Sequence, residues 1–138
     1  MNDSTFPGAN FSLPTPFIES VAKTIIDCTF KVHKQLGPGL LEKVYEVALC
    51  YELEKAGIDF ERQVAMPIYY DEIRFDEGYR VDILVEDLII CELKSVTEIH
   101  PVHRAQLLSY MKLSNKELGF LINFNVPLIK QGIKRYRL

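Results

Sequence analysis

From Phe17 to Leu36 the apolar positions Ile18, Val21, Ile25, Cys28, Val32 and Leu36 advance by three or four. That period predicts an amphipathic helix, which Gly37-Pro38-Gly39 stops. A second helix is expected from about Leu40 to Ala56, with Leu41, Val44, Val47, Ala48, Tyr51 and Leu53 apolar and Gly57 as its end. The pattern then turns extended. Ile58 to Ala65 alternates loosely, Pro67 marks an edge or bulge, Ile68 to Tyr70 resumes, and a short strand surrounds Ile73. Tyr79 to Val85 and Leu88 to Leu93 read as a hairpin. Pro101 opens a third helix running to about Leu113, and Gly119 to Phe124 is a short buried strand before a basic segment, Lys130 to Leu138. Two helices, a strand meander, a crossing helix and a later strand predict an α/β fold, a mixed β-sheet flanked by helices.

Residues 1–16 carry Pro7, Gly8, Pro14 and Pro16 among Ser, Thr and Asn and read as a flexible N-terminal arm. Residues 17–138 then form a single domain, long enough to bury a core without staples. A net charge of −3 supplies no global basic field, which counts against a protein that coats DNA but not against an enzyme with a local basic edge. Lys112, Lys116, Lys130, Lys134, Arg135 and Arg137 are candidates for such an edge. Cys28, Cys50 and Cys91 lie far apart in apolar segments, as reduced core thiols do, so a cytoplasmic location is expected. The opening residues lack the basic start and apolar run of a signal peptide, and no apolar run is long enough to cross a bilayer.

Charge breaks the hairpin in three places. Asp82, Glu92 and Lys94 stand among Val, Ile, Leu and Cys. A solvated ladder with Lys94 paired to a neighbouring acid is the plain explanation for an ordinary hairpin. Here Glu92 and Lys94 are two apart and share a strand face, while Leu88-Ile89-Ile90 is apolar on both faces. A cleft fits better than open surface. Two carboxylates at a strand end are hard oxygen ligands suited to Mg²⁺ (with Mn²⁺ as a substitute), and a neighbouring lysine can polarise water or stabilise developing charge.

Asp82, a spacer and Glu92-Leu93-Lys94 resemble the D…(D/E)-x-K signature of the PD-(D/E)XK nuclease superfamily. Gly39 to Tyr45, GLLEKVY, is similar to the G-x-x-E-x-x-Y pattern of the GxxExxY family within it. Gln106 to Tyr110, QLLSY, is similar to the Q-x-x-x-Y motif of its exonuclease-like branch. The resemblance covers about Phe17 to Leu138 and implies a restriction-endonuclease-like core. It implies a Mg²⁺-dependent hydrolase of phosphodiester bonds in DNA or RNA. Asp82, Glu92, Lys94, Gln106 and Tyr110 would be its catalytic set, and Glu42, Asp82, Glu92 and the Leu93 carbonyl its metal ligands. A homodimer spanning a substrate is a further expectation from the resemblance. The motif's proline is replaced by Val81.

The competing reading is a non-catalytic nucleic-acid- or protein-binding module that retains the nuclease fold. Register is the first discriminator. A two-residue turn at Glu86-Asp87 would set Asp82 opposite Cys91 and turn Glu92 and Lys94 to the other face. Glu-Asp suits a tight primed turn poorly, because that turn needs positive φ. A three-residue loop or a bulge puts Asp82 and Glu92 on one face, so the functional reading demands an odd register.

Overall fold

The computed structural model describes residues 15–77 and 79–138. Helix α1 spans Pro16–Leu36. The Thr15 side chain caps it by accepting from the Ile18 N–H at 3.2 Å, and Gly37 at φ 68° ends it. Thr15 and Pro16, assigned above to the arm, thus begin the helix; the rest of that arm lies outside the described residues. Helix α2 spans Glu42–Lys55, later by two residues than expected.

Seven strands follow: β1 Phe60–Ala65, β2 Ile68–Tyr70, β3 Ile73–Phe75, β4 Arg80–Val85, β5 Ile89–Lys94, β6 Leu118–Asn123 and β7 Ile133–Arg137. Helix α3, Pro101–Ser114, crosses between β5 and β6, and a short 3-10 turn, Ile129–Gly132, precedes β7. The main sheet runs β1-β4-β5-β6-β7, with β5 and β6 parallel and the other neighbours antiparallel. Strands β2 and β3 make a separate hairpin. The mixed sheet with flanking helices is the expected architecture. The basic C-terminal segment, left without an assignment by its pattern, is the edge strand β7.

Two apolar layers hold the sheet. On one face Ile83, Val85, Ile89, Cys91 and Leu93 meet α1 and α2; on the other Leu84 and Ile90 meet Leu107 and Met111 of α3, with Met66 and Tyr79. Strand β6 is covered on both sides and buried at every position. Helix α2 buries only part of its apolar set. Leu53 is buried and Ala48 packs against the core, together with Tyr45, Glu46, Leu49 and Cys50, while Leu41, Val44, Val47 and Tyr51 are exposed. The helix is apolar on both flanks, and spacing alone does not say which one the sheet covers.

The β4–β5 register is odd. Ile83 pairs with Cys91, Leu84 with Ile90 and Val85 with Ile89, which leaves Glu86, Asp87 and Leu88 as a three-residue loop. Contrary to the turn chemistry expected, Glu86 and Asp87 both take positive φ, 53° and 55°, and the Leu88 N–H donates to the Val85 carbonyl at 2.9 Å. Tertiary contacts offset that strain. The Glu86 carboxylate accepts from the Asp59 N–H at 3.0 Å, and Lys116 Nζ donates to the Asp87 carbonyl at 2.9 Å.

Two glycines sit where another chain segment comes too close for a side chain. A methyl group at Gly132 would collide with the Asn123 backbone carbonyl, whereas one at Gly119 would lie 2.7 Å from Met111 Sδ, the end of a flexible side chain. Gly132→Ala should therefore cost about 2–3 kcal/mol and Gly119→Ala distinctly less. Urea unfolding of the two variants checks the order, and equal losses would contradict it.

Candidate active site

At Asp82 the β4–β5 ladder opens, and side chains take over from backbone. The Asp82 N–H donates to Glu92 Oε1 at 3.0 Å, and the Leu93 N–H donates to Asp82 Oδ2 at 2.8 Å. Each carboxylate thus satisfies an amide that a buried strand could not leave unpaired. Strand β1 deforms at the same level. Gln63, within that strand, has φ 51°, a strained conformation for a non-glycine residue. Its Nε2 donates to Glu46 Oε1 at 2.8 Å and makes a long contact, 3.4 Å, to Asp82 Oδ1. Arg62 Nε donates to the other Glu46 oxygen at 2.9 Å, so this buried acid is fully engaged.

The start of α2 stands over the opening. Tyr45 is fully buried and stacks on Phe124; its hydroxyl donates to the Gly37 carbonyl at 2.6 Å and accepts from the Leu40 N–H at 3.1 Å. Gly39, at φ 99°, completes the bend. Ser95 Oγ donates to the Leu40 carbonyl at 2.6 Å, tying the end of β5 to the same bend. Tyr45 and Gly39 therefore build the turn that presents Glu42. The loop after β5 is anchored by buried Asn123, whose side chain accepts from the Val96 N–H at 3.1 Å and donates to the Val96 carbonyl at 2.9 Å.

Burial and mutual repulsion push the site acids upward. Desolvation, then the Asp82 charge, raises the Glu92 carboxyl to about 8; the Asp82 N–H and Lys94 oppose the shift. Asp82 is raised by desolvation and by Glu46, against the Leu93 N–H, Gln63 and Lys94. Glu42 is raised by desolvation and then by Asp82, and Lys94 lowers it. The ammonium of Lys94 thus acts on all three acids, although no described carboxylate lies within 4.0 Å of it. It also holds His103 below the ordinary range, after desolvation.

The structure brings Asp82, Glu92 and Lys94 together, with Glu42 close enough to feel Asp82. The Leu93 side chain is in the core and its peptide lies against Asp82. Gln106 is exposed on α3. Tyr110 stacks on Tyr79, a buried residue whose hydroxyl has no hydrogen-bond partner among the described residues and whose pKa is raised by desolvation and then by Glu92. Sequence reasoning missed Glu46, Gln63 and Tyr79. Glu46 was within reach, one helical turn after Glu42.

The donor chemistry suits a hard divalent cation: carboxylates with raised pKa values, beside backbone oxygen. Among the described residues, however, no group of three His, Cys, Asp or Glu side chains is arranged to hold a metal ion. Two carboxylates suffice for Mg²⁺ when water and substrate phosphate complete its shell, so the residues fit.

A family model described as the PD-(D/E)XK nuclease superfamily matches residues 19–136. The chain belongs to that superfamily, whose nucleases are generally divalent-metal dependent and act on nucleic acid. No curated protein and no solved structure matched the chain. Among the described residues no helix is long and apolar enough to cross a membrane.

The raised Glu92 pKa has a definite sign in stability. Below about pH 4.5 the group is protonated in both folded and unfolded chains; between there and about 8 only the unfolded chain ionises. Metal-free protein should lose stability across that window. Glu92→Gln should flatten the loss and, at pH 8, raise stability by on the order of 2–4 kcal/mol. Thermal melts from pH 4 to 9 in chelator measure it; a wild type that gains stability over this range would refute the assignment.

Proposed function

We propose that the protein is a Mg²⁺-dependent nuclease (Mn²⁺ serving as a substitute) of the GxxExxY group, hydrolysing phosphodiester bonds in DNA or RNA. The observation that carries this reading is the opened β4–β5 ladder, where Asp82 and Glu92 meet beside Lys94 in a chain of this superfamily. Glu42, Asp82, Glu92 and the Leu93 carbonyl would hold the cation, which supplies Lewis acidity and charge neutralisation at the phosphate. Lys94 Nζ orients the attacking water and stabilises negative charge as it develops. Gln106 and Tyr110 line the substrate side of the cleft from α3, with Gln106 free to contact a strand and Tyr110 fixed by its stack on Tyr79. Residues 17–138 form the single catalytic domain, and its three buried free cysteines accord with a reducing, cytoplasmic setting.

One observation favours the alternative, a binding module that keeps the fold without the chemistry. Both central carboxylates already bind backbone amides. The two readings differ in what Lys94 does.

Lys94→Met keeps much of the bulk and removes the charge. Cleavage of labelled single- and double-stranded DNA and RNA should fall at least roughly a hundredfold, while Mn²⁺ binding by calorimetry persists. Asp82→Ala should lose metal binding and cleavage together. Wild type that binds Mn²⁺ yet cleaves none of these substrates would establish the module reading, and a fully active Lys94→Met would remove the assigned role of Lys94.

A further inference from the structure

Helix α2 carries a second apolar stripe that no described residue covers. Leu41, Val44, Val47 and Tyr51 step by three, three and four along it, with 76%, 40%, 49% and 59% of their surface exposed. Glu46, Leu49 and Leu53 on the opposite flank are buried. A helix apolar on both flanks is ordinarily covered on both. Water-exposed large side chains scattered singly need no explanation, but four in register along one helix face do.

We propose that this stripe is the interface of a homodimer in which two α2 helices pack antiparallel about a two-fold axis. Charge placement selects a second copy as the occupant. Lys43 and Glu54 flank the stripe on the same side, near its two ends, and neither forms an ion pair with a described residue. A two-fold axis crossing the helix near Val47 and Ala48 reverses direction but preserves side. Lys43 then meets the partner's Glu54, and the symmetry makes the pair twice. Val44 faces Tyr51 of the partner subunit, and the two Val47 side chains lie near the axis. A parallel two-fold arrangement would instead bring each charge level with its own copy on the other side of the interface and pair neither with its opposite. The stripe is therefore self-complementary in one direction only.

This packing leaves the site open. Glu42 projects from the flank of α2 opposite the stripe, toward Asp82 and Lys94. The two Glu42 positions would fall at opposite ends of the helix pair, roughly 20 Å apart along its axis at about 1.5 Å per residue. The interface itself does not depend on the nuclease reading.

Light scattering behind size exclusion, with metal and nucleic acid absent, tests it on the full chain. Wild type should show twice the 15.9 kDa chain mass at micromolar concentrations. Val47→Glu should be monomeric with unchanged circular dichroism, because the residue is half exposed in the single chain. Lys43→Glu and Glu54→Lys alone should each weaken association roughly tenfold by opposing like charges. The double reversal should restore it, which a merely nonspecific apolar contact would not do. A monomeric wild type, a dimer unaffected by Val47→Glu, or a double reversal no better than the singles would each overturn the proposal. None of these results bears on cleavage, so the interface and the activity stand or fall separately.

Discussion

Backbone amides that cannot remain unpaired inside a sheet govern this structure. Where β4 leaves regular pairing with β5, and with β1 at Gln63, the amides of Leu93 and Asp82 lack ladder partners. The carboxylates of Glu92 and Asp82 replace them, at 3.0 and 2.8 Å. An unsatisfied buried amide costs on the order of 1–3 kcal/mol, so the exchange fixes both side chains as firmly as it fixes the strands. The positive φ of Gln63 lies at the same level of β1 and belongs to the same local departure from regular pairing. The proposed site and the fold share these atoms. The acids are held by the sheet because they repair it.

That arrangement explains the parity of the loop. With a two-residue connection the two carboxylates would lie on opposite faces and neither amide could be reached. Leu88 is the additional residue, and it is not idle, since it packs against the α1–α2 core. Glu86 and Asp87 accept an unfavourable conformation because Asp59 and Lys116 hold them there. Local turn propensity and global register conflict, and the register prevails through contacts distant in sequence.

Much of the fold was legible because it follows from single-element periodicity. The spacing of Ile18 through Leu36, the Pro-initiated α3 and the largely apolar β6 each predict their element without reference to neighbours. The demand for Asp82 and Glu92 on one face also carried the β4–β5 register. What could not be read depends on partners from elsewhere in the chain. Gln63 in a polar run, Glu61-Arg62-Gln63, gives no sign of its φ or of the Glu46 that receives it. Tyr79 looks like any strand tyrosine until Tyr110 is stacked on it. The outer face of α2 satisfies the same helical period as its inner face, and only the sheet decides between them. Strand β7, IKRYR, is an edge whose charges obscure the alternation.

The anchors around the cleft are neutral, and that choice has consequences. Tyr45, Ser95 and Asn123 fix the bend before α2, its tie to β5 and the loop beyond by hydrogen bonds of hydroxyl and amide groups. Ion pairs in those positions would compete for Asp82 and Glu92, or would draw Lys94 out of place. Neutral donors and acceptors keep their geometry whichever protonation state the acids hold. Lys94 is thereby left to act through space, lowering three acids without being captured by one. Among the described residues the ion pair beside the site, Arg62 with Glu46, engages an acid whose second oxygen is already taken by Gln63. Charge is neutralised behind the cleft, while within it burial and mutual repulsion hold the carboxyls above their ordinary pKa. A cationic ligand would favour their ionised forms, and the neutral frame allows that change without rebuilding the sheet.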